Sequence, residues 1–468
     1  MTLTRREFLV TAGAAAAAAH TQPGRRASAL LIIADDQGLD LGCYGNRTIS
    51  TPHIDAFAAS AVRFTHGFAT VSSCSSSRSV LYTGLFNHTN GQYGLAHDIH
   101  NQSTLDDVES LPRLLKAAGY ATGIVGKLHV KPPHVYPFDY HVEGREIAGN
   151  RDVAAMARKA GEFLAANESR PFLLVVGFSD PHRNQSGFAN TRSYADVPKR
   201  AYDPAAVRVP PHLPDWPEVR RDLADYYEAV TRLDSGVGMI LRELEASGRA
   251  RDTLVIYVSD NGIPFPGAKT TLYDAGIHLP LIVRAPERGR AGVTTAAMAS
   301  WVDVTPTILD WTGVPGPSRY ALPGRSLLPA VIDEPSGWDE VYASHTFHEI
   351  TMYYPMRAIR TRRHKYILNL AHPLRYPQAS DILDSPTWKA IAARQPQKMG
   401  EIELASYFQR PAEELYDIER DPNETHNLAG DPGVGAVLKE LRAKMVAFRE
   451  RTLDPWLVGR RAYRDTAH

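Results

Sequence analysis

The sequence predicts an α/β protein with a doubly wound, mostly parallel sheet flanked by helices, followed by a smaller C-terminal α+β domain with an antiparallel sheet. Two observations predict this fold: short apolar runs alternate with helical patterns, and each run ends in polar side chains. Continuous apolar runs are typical of strands that a parallel sheet buries on both faces. The four clearest runs span residues 29–34, 122–125, 172–178 and 254–258.

The predicted helices lie between these runs. Thr51 and Pro52 open the first of them, as an N-cap followed by a proline at the first helical position. The other helical patterns span residues 111–118, 154–166 and 223–247. Alternating strands and helices give a doubly wound sheet, whose ligands bind at the carboxyl ends of the strands.

The last third of the chain predicts a separate, smaller unit. A stretch containing proline and glycine before Trp338 predicts a linker, so we assign residues 25–335 to the main, catalytic domain and residues 336–468 to the C-terminal domain. Short alternating runs predict a small antiparallel sheet beside the edge of the main sheet. These runs span residues 340–343, 357–359 and 366–369, and a closing helix spans residues 434–449.

The composition excludes several classes of protein. The chain has 468 residues, with 52 basic and 52 acidic side chains, 43% apolar residues and 2 cysteines. The apolar content excludes general disorder, and two cysteines exclude a disulfide-built scaffold. A formal charge of zero gives no global attraction to nucleic acid or to a membrane surface. Beyond residue 24, no apolar run approaches the roughly 18 residues that suggest a membrane span.

Residues 1–24 predict a twin-arginine export signal. Arg5 and Arg6 precede a modest apolar stretch rich in alanine, with small residues leading to a cleavage site near Ala19. The alternative is an alanine-rich first helix, although Gly13 suits a leader better. We therefore expect an exported protein, periplasmic or secreted. Because the twin-arginine route carries folded proteins, a cofactor or modification can be installed before export.

Two of the strand ends carry oxygen ligands. Asp35 and Asp36 follow the first apolar run, and Asp260 and Asn261 follow the last. An oxygen-only set suits Ca²⁺ or Mg²⁺ rather than Zn²⁺, and Ca²⁺ is the better fit because it tolerates irregular geometry. Without a cation, the clustered carboxylates would repel one another and raise their pKa values. Taken alone, Asp35 and Asp36 also fit an ordinary turn or helix cap.

The other two strand ends carry basic side chains. Lys127 and His129 follow the second run, and His182 follows the third. Taken alone, a single histidine in such a place is more often a structural residue than a catalytic one. Four polar clusters of complementary chemistry, expected at one crevice, favour a catalytic site instead.

A loop of small residues leads into a short helix that ends at Gly84. This arrangement places Cys74 near a helix N-terminus, where backbone amides favour anions, and Arg78 one turn later. Two alternatives stay open on composition alone. The segment could be a serine-rich surface loop with an inert cysteine, or Cys74 could form a disulfide with Cys43.

The pattern Cys74-x-x-Ser77-Arg78, followed by Thr83-Gly84, resembles the signature of the sulfatase family, whose fold is alkaline-phosphatase-like. Matching motifs occur along nearly the whole chain, at residues 35–36, 126–129, 180–182, 259–262, 414–417 and 421–428. Further stretches are similar to the sulfamidase branch of the family, the N-sulfoglucosamine sulfohydrolases. They lie at residues 72–75, 90–97, 135–139, 260–266 and 348–357.

The resemblance implies a hydrolase whose nucleophile is formylglycine, made from Cys74 by a formylglycine-generating enzyme. Residue 74 would ligate the cation together with the four oxygen donors Asp35, Asp36, Asp260 and Asn261. The implied roles of the other residues concern charge and protons. Arg78 and Lys127 would stabilise charge, Lys127 and Lys269 would hold sulfate oxygens, His182 would protonate the leaving nitrogen and His129 would act as base. The sequence leaves open whether the two histidines exchange roles.

The implied reaction removes the N-linked sulfate from glucosamine residues of heparan-type glycans. His348 and Glu349 are the residues expected to contact the sugar, the alternative being surface residues at the start of a strand. A basic stretch could guide a sulfated chain or could be a solvated strand face. Its members are Arg357, Arg360, Arg362, Arg363 and Lys365. The relatives also imply a homodimer.

Two residues depart from the family pattern and keep other functions open. Ser76 stands where the usual signature has proline, and Lys269 stands where the sulfamidase pattern has arginine, so bidentate contact to a sulfate is lost. The nearest alternative is an exo-acting sugar O-sulfatase. If Cys74 is unmodified, the alternative is a phosphodiester or phosphonate hydrolase on the same fold. A non-enzymatic glycan-binding protein is the remaining alternative.

Overall fold

The computed structural model describes residues 27–185 and 187–457. The predicted export signal at residues 1–24 therefore lies outside the described residues. Within them, eight strands form a large, mostly parallel sheet and four others form a smaller antiparallel sheet. The fold class predicted from the sequence is confirmed.

The main sheet places the four predicted strands side by side. Its strands are β1 (Ser28–Ala34), β2 (Val62–Phe68), β3 (Ala121–Gly126), β4 (Tyr140–Val142), β5 (Phe172–Gly177), β6 (Thr253–Ser259), β7 (Leu281–Arg284) and β8 (Val293–Ser300). Their spatial order is β4-β3-β5-β1-β6-β7-β2-β8. Only β7 runs antiparallel to its neighbours among these strands. The carboxyl ends of β3, β5, β1 and β6 therefore meet at one edge.

Helices cover both faces of the main sheet. They are α1 (Pro52–Ala59), α2 (Cys74–Thr83), α3 (Asn87–Asn90), α4 (Leu111–Ala117), α5 (Val153–Ala166), α6 (Pro217–Ala246), α7 (Asp274–Ile277), α8 (Val304–Thr312) and α9 (Leu328–Ile332). Alternate residues of β1 belong to different hydrophobic clusters: Leu31 packs on the side of α2, α4 and α8, and Ile32 packs on the side of α1, α5 and α6. Burial on both faces explains why the strands read as continuous apolar runs.

The C-terminal unit contains the predicted antiparallel sheet, which has a fourth strand besides the three predicted, and a separate pair of short strands that was not predicted. Its strands are β9 (Glu340–His345), β10 (Met356–Thr361), β11 (His364–Asn369), β12 (Lys398–Met399), β13 (Ile402–Glu403) and β14 (Glu413–Asp417). The order β14-β11-β10-β9 makes the sheet, and β12 pairs with β13. Its helices are α10 (Ser380–Leu383), α11 (Pro386–Arg394), α12 (Leu404–Phe408) and α13 (Gly435–Arg451).

The two sheets share one hydrophobic cluster. Ile359 of β10 and Leu415 of β14 belong to the same buried cluster as Leu31 of β1. The C-terminal sheet is therefore packed against the main sheet through a shared core. The domain boundary at residue 335 stays a prediction. Among the described helices, none has the length and apolar character needed to cross a bilayer.

Most of the basic stretch on β10 and β11 is neither a glycan-guiding surface nor a solvated face. Arg357 is fully buried and donates two hydrogen bonds to Asp454, each of 2.9 Å. Arg360 and Lys365 are buried as well, and both pair with Asp274. These three residues tie the C-terminal sheet to its surroundings, so both interpretations from sequence are wrong for them. The two members that stay partly exposed are Arg362 and Arg363.

Candidate active site

The carboxyl ends of β1 and β6 form the base of the candidate site. Asp35 and Asp36 follow β1, and Asp260 and Asn261 follow β6, so pairing of these two neighbouring strands brings the four side chains together. The amide of Asp36 donates to Oδ1 of Asp260 at 3.1 Å. All four residues are fully buried. The site is therefore a charged cluster set into the protein interior.

Cys74 is the first residue of α2 and is 1% exposed. Its Sγ lies 3.5 Å from Oδ1 of Asp35 and 3.8 Å from Oδ1 of Asp36. The helix ends where Gly84 adopts the left-handed conformation, with φ of 67°. Residues 72–78 are all buried, so the surface-loop alternative does not describe this segment.

Both cysteines of the chain lie in the described residues and are free thiols, so Cys43 and Cys74 form no disulfide. Ser76 occupies the third position of α2. Backbone amides in this first turn have no intrahelical partner, and proline is tolerated there because it lacks only that unused donor. Serine in place of proline therefore leaves the start of the helix, and the position of Cys74, unaltered.

The cluster fits a hard divalent cation. One ligand atom from each of Asp35, Asp36, Cys74 and Asp260 lies within 4.8 Å of the others. Asn261 adds a buried side-chain oxygen that accepts no hydrogen bond from any described residue. Burying such an oxygen without a partner is costly, and Ca²⁺ and Mg²⁺ prefer oxygen ligands. The four oxygen donors Asp35, Asp36, Asp260 and Asn261 could together hold the cation, with the side chain of residue 74 beside it.

Electrostatics explains why the cluster needs positive charge. Burial raises the pKa of Asp36 to about 7, because neighbouring carboxylates add to the effect and Lys269 opposes it only in part. Burial and the charge of Asp35 also raise the pKa of Asp260. Burial alone would raise the pKa of Asp35 too, but Lys127 and other cations hold it well below its usual value. A bound cation would favour the ionised form of every carboxylate here.

Arg78 lies one turn after Cys74 and is fully buried. Its Nε donates to Oδ2 of Asp260 at 2.8 Å, and its Nη1 donates to the carbonyl oxygen of Lys127 at 2.7 Å. The guanidinium therefore ties α2 to the ends of β6 and β3. In this arrangement Arg78 stabilises a carboxylate of the cluster and positions it.

Two lysines lie beside the carboxylates. Lys127 forms an ion pair with Asp35, and its side chain is 12% exposed. Lys269 is fully buried, with Nζ 2.9 Å from Oδ2 of Asp36 and 2.5 Å from Oδ2 of Asp381. Both ammonium groups can exchange a carboxylate contact for an anionic oxygen of a ligand. The site thus combines a carboxylate cluster that can bind a cation with two ammonium groups that can donate hydrogen bonds to a sulfate or phosphate group.

His182 lines a cavity of about 460 Å³ that Asp35 and Lys127 also line. Its Nε2 is 4.0 Å from Oδ2 of Asp36, and its side chain is 25% exposed. Burial, with a further contribution from Lys269, lowers the pKa of His182 well below its ordinary value. The imidazole is therefore neutral near pH 7 in the free protein.

The segment that carries His182 is held by a buried ion-pair cluster. Asp180 accepts hydrogen bonds of 2.7 Å from Nε and Nη2 of Arg232, and it also pairs with Arg151. Nη2 of Arg151 in turn donates to the carbonyl oxygen of His182 at 2.7 Å. Asp180 therefore orients the histidine through backbone contacts, away from the reacting atoms.

Replacing Asp180 by alanine is expected to destabilise the fold. The change leaves Arg151 and Arg232 buried without their carboxylate, which typically lowers the free energy of unfolding by about 3–5 kcal/mol. Urea denaturation followed by circular dichroism measures the change. Asp310→Ala, at an exposed position of α8, is the matched control. A loss for Asp180→Ala no larger than for the control would contradict this structural role.

His129 pairs with His97, a histidine that sequence reasoning did not single out. Nε2 of His129 lies 2.6 Å from Nδ1 of His97, and the two rings stack with centroids 4.7 Å apart. Nδ1 of His129 is buried and has no hydrogen-bond partner among the described residues. Burial and the nearby Lys127 lower the pKa of His129, which keeps the imidazole in the neutral form that a general base needs.

The two predicted sugar-contacting residues differ in their surroundings. His348 is buried, and its Nδ1 lies 2.9 Å from Oγ of Ser73, the N-cap residue of α2. Glu349 is half-buried and accepts a hydrogen bond of 2.7 Å from the amide of Ser380. His348 thus adjoins the start of the helix that carries Cys74, and Glu349 supports α10. Their contacts to a sugar stay predictions.

Sequence reasoning missed Asp381, which α10 brings to the site. Its Oδ2 contacts Lys269, a residue 112 positions earlier in the chain, and lies 4.0 Å from Nε2 of His182. Asp381 follows no apolar run and belongs to no recognised motif. Only tertiary packing of the C-terminal unit against the main sheet brings it to the crevice.

Comparisons with known proteins agree with this geometry. The family model described as Sulfatase matches residues 28–314, and one described as N-sulphoglucosamine sulphohydrolase, C-terminal, matches residues 268–384. The chain is 43% identical over 463 residues to N-sulphoglucosamine sulphohydrolase of Homo sapiens, covering 92% of each protein.

Solved structures show the same fold at lower identity. A protein in complex with its substrate D-glucosamine-2-N,6-O-disulfate aligns with a TM-score of 0.67 and 21% identity, over 92% of this chain and 99% of that chain. Phosphonate monoester hydrolase from Silicibacter pomeroyi aligns with a TM-score of 0.68 and 20% identity, over 92% and 97%. At these identities the likeness shows the fold alone. The family match and the human relative confirm the resemblance seen in the motifs, and the chain belongs to the sulfatase family.

Proposed function

We propose that the protein is a sulfohydrolase that removes the N-linked sulfate from glucosamine residues of heparan-type glycans. The observation that carries this proposal is the crevice at the ends of β1, β3, β5 and β6, where Cys74 lies against clustered carboxylates and beside buried cations. The 43% identity to human N-sulphoglucosamine sulphohydrolase supports a nitrogen–sulfur bond as the one that is cleaved.

Formylglycine at position 74 and a divalent cation complete the proposed site. Asp35, Asp36, Asp260 and Asn261 would hold the cation together with residue 74, and we propose Ca²⁺ rather than Mg²⁺ because the ligands come from irregular loops. When present, the cation and the hydrated formylglycine supply an activated hydroxyl nucleophile and neutralise sulfate charge. A formylglycine-generating enzyme is the partner that this modification requires.

The lysines of the chain bind the sulfate in this proposal. Lys127 and Lys269 each hold an ammonium group beside a carboxylate of the cluster. Sulfate oxygens that enter the crevice replace part of these contacts, so that positive charge faces the group whose negative charge grows during the reaction. Arg78 keeps the carboxylate of Asp260 in place.

His182 is the proposed proton donor to the leaving nitrogen. As the sulfur–nitrogen bond breaks, the nitrogen keeps the bonding electron pair and takes a proton from Nε2 of His182, which leaves a primary amine. An anionic substrate raises the pKa of this imidazole because negative charge favours its protonated form. His129, positioned by His97, is the proposed base that later removes a proton so that sulfate can leave.

Phosphodiester or phosphonate hydrolysis is the second candidate function. If Cys74 is unmodified, the carboxylate cluster and the two lysines could still bind a phosphoryl group, which carries oxygen atoms and negative charge like a sulfate. A sugar O-sulfatase activity requires the same groups as the N-sulfatase. The three functions therefore differ in the bond cleaved and in the leaving atom, and a comparison of substrates separates them.

The test compares three substrates on one preparation from a host that contains a formylglycine-generating enzyme. We expect kcat/KM for N-sulfoglucosamine to exceed that for glucosamine 6-sulfate and for a phosphonate monoester by about 100-fold or more. A preference for glucosamine 6-sulfate would indicate a sugar O-sulfatase. Preference for the phosphonate would indicate the second candidate. Saturable heparin binding without any turnover would indicate a glycan-binding protein.

Export by the twin-arginine pathway to the periplasm or the medium belongs to the same proposal. It is supported by Arg5, Arg6 and the alanine-rich stretch after them. A homodimer is the assembly that the resemblance to sulfamidases implies.

A further inference from the structure

Asp381 is a carboxylate whose presence sulfate binding does not explain. It lies in α10 of the C-terminal unit, and its side chain is 14% exposed. Its Oδ1 accepts a hydrogen bond of 2.8 Å from the amide of Ile382, and α10 is anchored where the amide of Ser380 donates to Glu349 at 2.7 Å. These contacts fix the carboxylate, so that its other oxygen, Oδ2, is held in one direction by its own helix.

Oδ2 of Asp381 lies near Lys269 and near His182, the proposed proton donor to the leaving nitrogen. Oδ2 of Asp381 is 2.5 Å from Nζ of Lys269 and 4.0 Å from Nε2 of His182. A distance of 4.0 Å is too long for a hydrogen bond. An atom between His182 and Asp381 can lie within hydrogen-bond distance of both.

A negative charge here opposes the binding of a sulfate group. The ammonium group of Lys269 pairs with two carboxylates, those of Asp36 and Asp381. Asp36 is one carboxylate partner of Lys269, and Asp381 adds a second, which lowers the positive charge that Lys269 can offer to an anion. Asp381 already accepts hydrogen bonds from Lys269 and from the amide of Ile382, and a hydrogen-bond donor or a cation on the substrate would be a further favourable partner for it.

We propose that Asp381 recognises the nitrogen of the scissile sulfamate, by accepting a hydrogen bond from its N–H, and thereby makes the site selective for N-sulfate over O-sulfate. This inference rests on the proposed function. The bridging atom of a sulfamate carries one hydrogen, whereas the bridging oxygen of a sulfate ester carries none. Asp381 would bind the first and repel the lone pairs of the second.

In this proposal the hydrogen bond between Asp381 and the nitrogen persists throughout the reaction. The N–H of the nitrogen donates a hydrogen bond to Asp381 and keeps its hydrogen, while the nitrogen lone pair receives a proton from His182. The two side chains therefore contact different sides of the same atom. When the sulfur–nitrogen bond has broken, the product is a primary amine that becomes an ammonium ion near neutral pH. Asp381 then faces a cation, which it attracts more strongly than the substrate nitrogen.

The test measures the effect of Asp381→Asn on two substrates, N-sulfoglucosamine and an aryl sulfate such as 4-methylumbelliferyl sulfate. The variant keeps the size of the side chain but leaves one oxygen, for which Lys269 and the amide of Ile382 compete. We expect kcat/KM for N-sulfoglucosamine to fall about 100-fold, and to fall at least about 10-fold more than kcat/KM for the aryl sulfate. Asp384→Asn, an exposed position at the end of α10, is the matched control.

Equal losses on both substrates would overturn the inference, because Asp381 would then act only by positioning Lys269. A second measurement needs no variant. Calorimetric titration of the wild-type protein near pH 6.5 is expected to show tighter binding of glucosamine than of N-acetylglucosamine, since only the first is a cation. Equal affinities would also overturn it. Failure of the proposed function would give a different result, namely a wild-type enzyme that has no activity on N-sulfoglucosamine.

Discussion

Cys74→Ala is expected to lower kcat for sulfate release by about 10⁴-fold or more, because no other side chain can replace a lost nucleophile. The side chain at position 74 is buried against Asp35 and Asp36, at the first position of α2. Alanine fits this position and keeps the helix. We expect the melting temperature to stay within a few degrees of the wild-type value, as a thermal scan would show.

Cys43→Ala is the matched control for this loss. Cys43 is the other free cysteine, it is only partly buried, and it lies beside Asp55, away from the carboxylate cluster. Sulfate release by this variant is expected to match the wild-type rate. Activity of Cys74→Ala above about one hundredth of that rate would place the nucleophile elsewhere.

Asp260→Asn is expected to remove the dependence of the enzyme on the cation together with most of its activity. Asp260 is a proposed ligand and the partner of Arg78 at 2.8 Å. An amide at this position removes one negative charge from the cation site and leaves a buried guanidinium less well paired. A loss of about 10³-fold in kcat/KM is expected, since removal of a metal ligand and disturbance of its neighbour act together.

Calcium-dependent stabilisation gives a readout of Asp260→Asn that is independent of turnover. After chelation, added Ca²⁺ is expected to raise the melting temperature of the wild-type protein, because a ligand that binds only the folded state stabilises it. The shift should vanish in Asp260→Asn. Asp310→Asn, which removes a charge at an exposed position of α8, should keep it. A normal shift and normal activity in Asp260→Asn would contradict the assignment of the cation site.

The features that sequence reasoning predicts well are those that local patterns determine. Continuous apolar runs identified β1, β3, β5 and β6 because both faces of these strands are buried. The helical pattern predicts a start at residue 223, whereas α6 begins at Pro217. Pro217 at the first helical position is a signal for the true start. The polar residues of the first turn lack the apolar spacing by which the helix is recognised.

Features that depend on distant packing could not be read from the sequence. Asp381 and His97 reach the crevice on segments that carry no strand-end pattern, and their partners Lys269 and His129 lie far along the chain. The prediction that the basic residues of β10 lie on a surface was wrong for the same reason. Arg357 looks like a surface charge in sequence, because its buried partner is 97 residues away.

The mass of one peptide tests the formylglycine assignment most directly. Trypsin releases residues 64–78, which contain Cys74 and no internal cleavage site. In protein made with a formylglycine-generating enzyme, we predict that this peptide is about 18 Da lighter than the unmodified sequence, since the thiol becomes an aldehyde. An unmodified thiol in a preparation that releases sulfate from N-sulfoglucosamine would contradict the assignment.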